Sequence, residues 1–176
     1  MDIAPSGFTA FKDAGQASMA ATRMLFAYWR DSHRGGLPLR RTEVDPSALK
    51  PILPFLLLGD IEPEPFRVLF RLIGTAVADF SRRDFSGKYL DELGYDTRDS
   101  VEWADCYRHI HAHRVGVVGI NRLSFADGGH TSYEFAILPL QRDDDPAGSF
   151  IAIESYAHLS EFVIPDLTPV TERRRS

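Results

Sequence analysis

The sequence predicts an α+β fold, with a five-stranded antiparallel sheet, helices on one face of the sheet and an extra N-terminal helix. Three observations predict it. A stretch of helical periodicity comes first, two strand-like runs follow, and three more strand-like runs come after a helical middle. The 176 residues suit one domain. We place an N-terminal extension with the start of the helix at 1–23, the folded domain at 24–157 and a C-terminal tail at 158–176.

The predicted N-terminal helix runs from about Asp13 to His33. Its apolar residues recur at intervals of three and four, which is one face of an amphipathic helix, and Gly35 and Gly36 end it. Several prolines punctuate the following stretch from Leu37 to Pro54. Only a turn or two of helix fits there, because proline removes a backbone donor and restricts its neighbour.

The strands are predicted from alternating apolar residues and from the turn residues between them. The first two form a hairpin, and the last three form a meander after short helical pieces at 76–80 and 88–93 and a helix from Asp99 to about Arg114. The five predicted strands are Phe55–Ile61, Phe66–Ile73, Val115–Phe125, Thr131–Leu140 and Ser149–Tyr156, with the meander turns at 127–129 and 143–148. Gly74 is expected where a strand turns abruptly into a helix, and Gly87 where the backbone takes a positive φ.

Composition argues against several classes of partner. The net charge is −5, opposite to the basic footprint of a nucleic-acid binder, so we expect no nucleic-acid partner. No apolar run reaches about 18 residues, and the N-terminus lacks a signal-peptide pattern, so we expect a cytoplasmic protein without membrane insertion. Cys106 is the single cysteine, which excludes an intramolecular disulfide and suits a reducing compartment.

Three histidines, His109, His111 and His113, form the sharpest local motif, because imidazole is a common metal ligand. Their spacing, however, argues against a metal site. On a helix, residues two apart point in nearly opposite directions, so only His109 and His113 share a face. We therefore predict no metal site, and keep a small metal-binding enzyme that uses the three histidines as the alternative function.

No catalytic residue is predicted. The sequence lacks a nucleophile elbow, a glycine-rich phosphate loop and a zinc-protease helix. Glu134 and Glu154 lie on adjacent predicted strands and could face each other as an acid/base pair. On a half-exposed sheet, outward-pointing charges are the more common arrangement, so we expect both carboxylates to face solvent.

The chain resembles the PAS_5 family, a branch of the PAS domains found mainly in alphaproteobacteria, over roughly Met24 to Tyr156. The order of the strands and helices is that of the PAS fold. The resemblance is carried, in order, by Tyr28-Trp29, Leu37-Pro38 with Arg40-Arg41, Asp45-Pro46, Leu53-Pro54, the hairpin end at 70–76, the segment 83–88, Tyr133-Glu134 and the segment 138–140. It implies a bacterial sensory or protein-interaction domain without enzymatic activity. We expect the domain to act in trans on a partner signalling protein, since no output segment follows Tyr156.

A pocket between the sheet and the helices is expected to bind a small ligand, because aromatic and aliphatic residues cluster there in the predicted fold. The nature of the cofactor or ligand is unknown. The ligand-binding candidates are Phe70, Leu72, Phe80, Tyr107, Tyr133, Phe135 and Ile137. The interface candidates on the N-terminal helix are Met24, Leu25, Tyr28 and Trp29, which could contact a partner or form a homodimer. A shift in the packing of this helix on the sheet would carry the signal.

Two variants of the PAS fold, the haem-binding sensors and the flavin photoreceptors, match this sequence less well. Haem-binding PAS sensors use a histidine on the helix before the meander, where the three histidines lie, but nothing else supports haem. Flavin photoreceptors with the PAS fold have their reactive cysteine in the sequence motif Asn-Cys-Arg-Phe-Leu-Gln. In this chain, Cys106 follows Ala104-Asp105 and precedes Tyr107-Arg108. A flavin adduct is therefore not predicted.

Overall fold

An antiparallel sheet in the strand order β1-β4-β5-β6-β2-β3 organises the fold. The computed structural model describes residues 8–10, 14–94, 102–124 and 130–156. The strands are β1 (Phe8–Ala10), β2 (Leu56–Pro63), β3 (Phe66–Ile73), β4 (Val117–Ser124), β5 (His130–Arg142) and β6 (Asp145–Ser155), and the α-helices are α1 (Ala20–Asp31), α2 (Thr75–Ser81) and α3 (Trp103–His113). The five predicted strands are confirmed, and β1 adds a short edge strand beside β4.

The hairpin and the meander have the predicted connectivity. β2 pairs with β3, β4 with β5, and β5 with β6, all antiparallel, and β6 also pairs with β2, which joins the two halves. The turn between β5 and β6 is shorter than predicted, because β5 continues to Arg142 and β6 begins at Asp145. The predicted turn at 127–129 and the predicted helix start at Asp99 lie outside the described residues.

The two central strands are covered on both faces. Residues 133–140 of β5 are all buried, as are residues 147–153 of β6. Successive side chains of a strand point to opposite faces. Phe135 packs on Trp103 at the start of α3, with ring centroids 4.7 Å apart, whereas the neighbouring Glu134 faces the segment that leads into α1. The predicted helices therefore lie on one face, and the extra N-terminal helix covers the other.

Helix α1 starts directly after two backbone N–H groups that donate hydrogen bonds to a strand carboxylate. The first N–H groups of a helix have no partner within the helix. Glu134 accepts hydrogen bonds from the Ser18 and Met19 amides at 2.8 and 2.9 Å, and from the Ser18 hydroxyl at 2.5 Å. The helix consequently begins at Ala20 rather than near Asp13. Glu134 is 4% exposed, so the expectation that it faces solvent is wrong.

Gly74 and Gly87 have the structural roles predicted for them. Gly74 lies between β3 and α2, and a Cβ atom there would collide with the backbone of Pro54. Gly87 has a φ of +78°, which side-chain-bearing residues rarely adopt. No helix in the described part of the chain has the length and apolar character needed to cross a membrane.

Candidate functional site

A small cavity lies between the sheet and α3. Its volume is about 20 Å³, which is room for about one water molecule. The wall is aromatic and aliphatic except for one carboxylate, and it consists of Leu57, Phe70, Phe85, Trp103, Tyr107, Phe135, Ala136, Ile137, Ala152, Ile153 and Glu154. The cavity thus has the composition of a ligand site, with Glu154 as its one carboxylate.

Glu154 projects from β6 toward the α3 side of the sheet. The Tyr156 hydroxyl donates a hydrogen bond to Oε2, and the Tyr133 hydroxyl lies 3.4 Å from Oε1. Asn121 donates in turn to the Tyr133 hydroxyl at 2.9 Å. Among the described residues, no Arg, Lys or His side chain forms an ion pair with Glu154. Burial raises the pKa of Glu154 to about 7, against the two tyrosine hydrogen bonds, which lower it. The carboxyl therefore changes its charge near neutral pH.

The facing carboxylate pair does not form. Glu134 pairs in register with Ser155, and Glu154 pairs with Phe135. Glu134 and Glu154 therefore point to opposite faces of the sheet, the first toward α1 and the second toward the cavity. They cannot act on one substrate as an acid and a base. The expectation that Glu154 is an outward-facing charge is also wrong, because it lines the cavity.

The structure brings four of the seven predicted ligand residues to the cavity wall: Phe70, Tyr107, Phe135 and Ile137. Phe80 and Tyr133 lie beside it, where the Phe80 ring stacks on Tyr156 with centroids 4.1 Å apart. Leu72 lies on the edge strand β3 and is 46% exposed, away from the wall. Ligand contact remains a prediction for all seven.

The histidines lie on α3 as predicted. The rings of His109 and His113 are neighbours, with centroids 4.5 Å apart, and His111 hydrogen-bonds to Asp145 at 3.0 Å. Within the described ranges, no three His, Cys, Asp or Glu side chains are placed to hold a metal ion together. The spacing thus divides the motif between two faces of the helix.

Cys106 lies on the buried face of α3 and is inaccessible to solvent. Burial is the main cause that raises the pKa of its thiol, and the charge of Asp105 adds to it. The reactive form of cysteine is the thiolate. Cys106 is therefore a core residue, and its raised thiol pKa disfavours the thiolate that a nucleophile needs.

The four interface candidates of α1 divide between the core and the surface. Leu25 is inaccessible to solvent and Trp29 is 8% exposed, and the Trp29 indole donates to the Pro139 carbonyl at 2.7 Å. Both pack on the sheet in a single copy of the chain. Met24 and Tyr28 are partly exposed, and the Tyr28 hydroxyl accepts from the Asp45 amide. Leu25 and Trp29 are thus core residues, and contact with a partner stays a prediction for Met24 and Tyr28.

Sequence reasoning placed the charged residues of the central strands in solvent. One signal could have corrected this. The runs from Phe135 to Leu140 and from Phe150 to Ile153 are continuously apolar, which is typical of strands buried on both faces rather than on one. A carboxylate within such a run is buried, and Glu154 follows the second run directly.

Comparisons with known proteins found one family model and several solved structures that are similar to this chain. A family model described as a PAS domain, PAS_5, matches residues 17–153. Among solved structures, the LOV domain of the blue-light activated histidine kinase from Erythrobacter litoralis EL346 is 16% identical, with 60% of this chain and 97% of that chain covered and a TM-score of 0.44. A LOV protein from Rhodobacter sphaeroides is 14% identical, with 67% and 73% covered and a TM-score of 0.45.

The light-state LOV domain of the blue-light photoreceptor Aureochrome1 is 12% identical, with 67% of this chain and 94% of that chain covered and a TM-score of 0.42. No curated protein matches the sequence.

Proposed function

The chain belongs to the PAS_5 family of PAS domains, and from that membership we propose that it is a sensory and interaction domain whose input is the cavity at Glu154 and whose output is helix α1. The carrying observation is the position of Glu154 and Ser155, two successive residues of β6. Glu154 faces the cavity, and the Ser155 hydroxyl hydrogen-bonds to the Thr22 hydroxyl of α1 at 2.8 Å in the core. One strand thus contacts both the proposed input and the proposed output.

A second contact couples the same two faces. Glu134 is the register partner of Ser155 and holds the amides that precede α1. A change in the charge or the position of Glu154 would move the end of β6, and therefore both polar contacts with α1. A ligand shifts such an equilibrium only through different affinities for the two states. The proposed signal is a change in how firmly α1 packs on the sheet.

The ligand is proposed to be a small molecule that donates a hydrogen bond or brings a positive charge to Glu154. The aromatic wall suits a cation, because ring faces attract positive charge, and Glu154 supplies an acceptor with no competing cation among the described residues. The cavity holds about one water molecule, so a larger ligand would have to open it. Partner contact, in trans or in a homodimer, is proposed through Met24 and Tyr28 beside the packed face of α1.

The ligand site can be tested with methylammonium and acetate as paired probes of opposite charge, followed by NMR of the full chain. Methylammonium is expected to give saturable shifts of the Ala152 and Ile137 methyl signals, and acetate is not. Ala152→Leu fills the cavity and should abolish the shift of the Ile137 methyl signals. Ala112→Leu makes the same change on the exposed side of α3 and should leave it intact. Equal responses to both probes, or an unchanged response in Ala152→Leu, would rule out the cavity as the site.

A further inference from the structure

A second charged site lies outside the cavity, on the sheet face that bears α1. Asp60 of β2 is 1% exposed, and three arginines converge on it. The Arg41 Nη1 and Arg71 Nε atoms lie 3.2 and 2.7 Å from its oxygens, and the Arg142 Nη1 atom lies 3.2 Å away. The three arginines come from a short 3-10 helix, from β3 and from the end of β5.

One carboxylate does not need three guanidinium groups. Burial opposes the ionisation of Asp60, but the Arg71 hydrogen bond and the charges of Arg41 and Arg142 outweigh it and lower its pKa. A single well-placed cation would neutralise the buried charge. Even with Asp145, a carboxylate close enough to Arg142 to be affected by its charge, the group has more positive than negative charges. The surplus is unusual in a chain of net charge −5.

The arginines are accessible while their anchor is not. The Arg41, Arg71 and Arg142 side chains are 38%, 53% and 29% exposed. A guanidinium has five N–H donors in a planar fork, and each of these groups contacts Asp60 through one nitrogen. Because all three contact the same carboxylate, their charged ends lie close together and repel one another. Asp60 therefore holds three guanidinium groups in one place, and N–H groups that do not contact Asp60 are left to face solvent.

We propose that Arg41, Arg71 and Arg142, held in place by Asp60, bind a phosphoryl group. Three guanidiniums suit a group with three acceptor oxygens and up to two negative charges. A carboxylate has two oxygens and one charge, so it would leave part of the cluster unused. The net charge of −5 disfavours a long polyanion such as nucleic acid. The group can belong to a free phosphate or to a phosphorylated side chain of a partner.

The test is a calorimetric titration of the full chain with inorganic phosphate at about pH 8, where a phosphoryl monoester carries close to two charges, with ionic strength held constant by sodium chloride. Saturable binding is expected. The double variant Arg41→Gln, Arg71→Gln should bind about tenfold more weakly or worse. The matched double variant Arg30→Gln, Arg122→Gln removes two exposed arginines elsewhere and should bind like the natural chain.

Two further arms complete the test. Arg71→Lys keeps the charge on the exposed edge strand but loses the fork, and should weaken binding by roughly threefold to tenfold without affecting the fold. A Gly-Gly-phosphoserine-Gly-Gly peptide that binds more tightly than inorganic phosphate would identify a phosphorylated partner, and the reverse order would identify a free phosphate. The proposal fails if phosphate binding is not saturable, or if the Arg41, Arg71 double variant and Arg71→Lys bind phosphate as the natural chain does.

Discussion

Glu154→Gln is expected to raise the free energy of unfolding by about 2–3 kcal/mol at about pH 8. The pKa of Glu154 is raised from an ordinary 4.5 to about 7 in the folded protein. Between these values the folded state holds a proton that the unfolded state has released. The free energy of unfolding therefore falls as pH rises through this window, and above it the folded protein bears a buried charge that glutamine does not have.

The measurement is urea unfolding of both proteins from about pH 4 to pH 8. The difference between them should be near zero at the acid end and should grow to its full value above the raised pKa. Glu134→Gln is the control on the opposite face, and it should lower the stability at pH 8, because its NH2 group cannot accept a hydrogen bond and would face either the Ser18 or the Met19 N–H group. A difference between Glu154→Gln and the natural chain that does not vary with pH would contradict the account.

Asp60→Asn is expected to lower the free energy of unfolding by about 3 kcal/mol, because it leaves three converging guanidiniums without their carboxylate. Part of the loss should return when Arg71→Gln is added, since the second change removes one of the repelling charges. Asp91→Asn breaks the Arg67–Asp91 pair, in which the Asp91 side chain is 62% exposed, and should cost less than about 1 kcal/mol.

Chemical denaturation of these three variants and the natural chain at neutral pH measures these effects. The contribution of Asp60 has the opposite pH dependence to that of Glu154. Because the pKa of Asp60 is lowered in the folded protein, its stabilisation is present above the ordinary aspartate pKa and is lost as pH falls through the folded value. A loss no larger for Asp60→Asn than for Asp91→Asn would mean that the cluster contributes no more than an ordinary surface pair.

The fold was predictable because its signals are local. Alternation predicted β3 at Phe66–Ile73 with the bounds that the structure has, and the helical periodicity around Leu25 identified α1. The start of α1 was not predictable in this way. It depends on Glu134, more than a hundred residues away in the chain, and no local pattern reports such a contact.

The candidate site was predictable in part for the same reason. Aromatic residues of the wall, such as Phe70 and Tyr107, follow from the strand and helix periodicity. The roles of the carboxylates do not follow from this periodicity. They depend on whether a given strand residue points toward α1 or toward α3. Asp60, Glu134 and Glu154 are all buried or partly buried. Three arginines surround Asp60, two backbone amides donate to Glu134, and two tyrosines donate to Glu154. Residue type alone distinguishes none of these environments.

The central claim, that the state of Glu154 is transmitted to α1, is tested most directly by amide hydrogen exchange of the natural chain at about pH 6 and pH 8, on either side of the Glu154 transition, after correction for the intrinsic effect of pH. Protection of the α1 amides from Phe26 to Trp29 should fall at the higher pH by a larger factor than protection in β2, and Glu154→Gln should remove the extra loss. Equal changes in α1 and β2, or an extra loss in α1 that persists in Glu154→Gln, would contradict it.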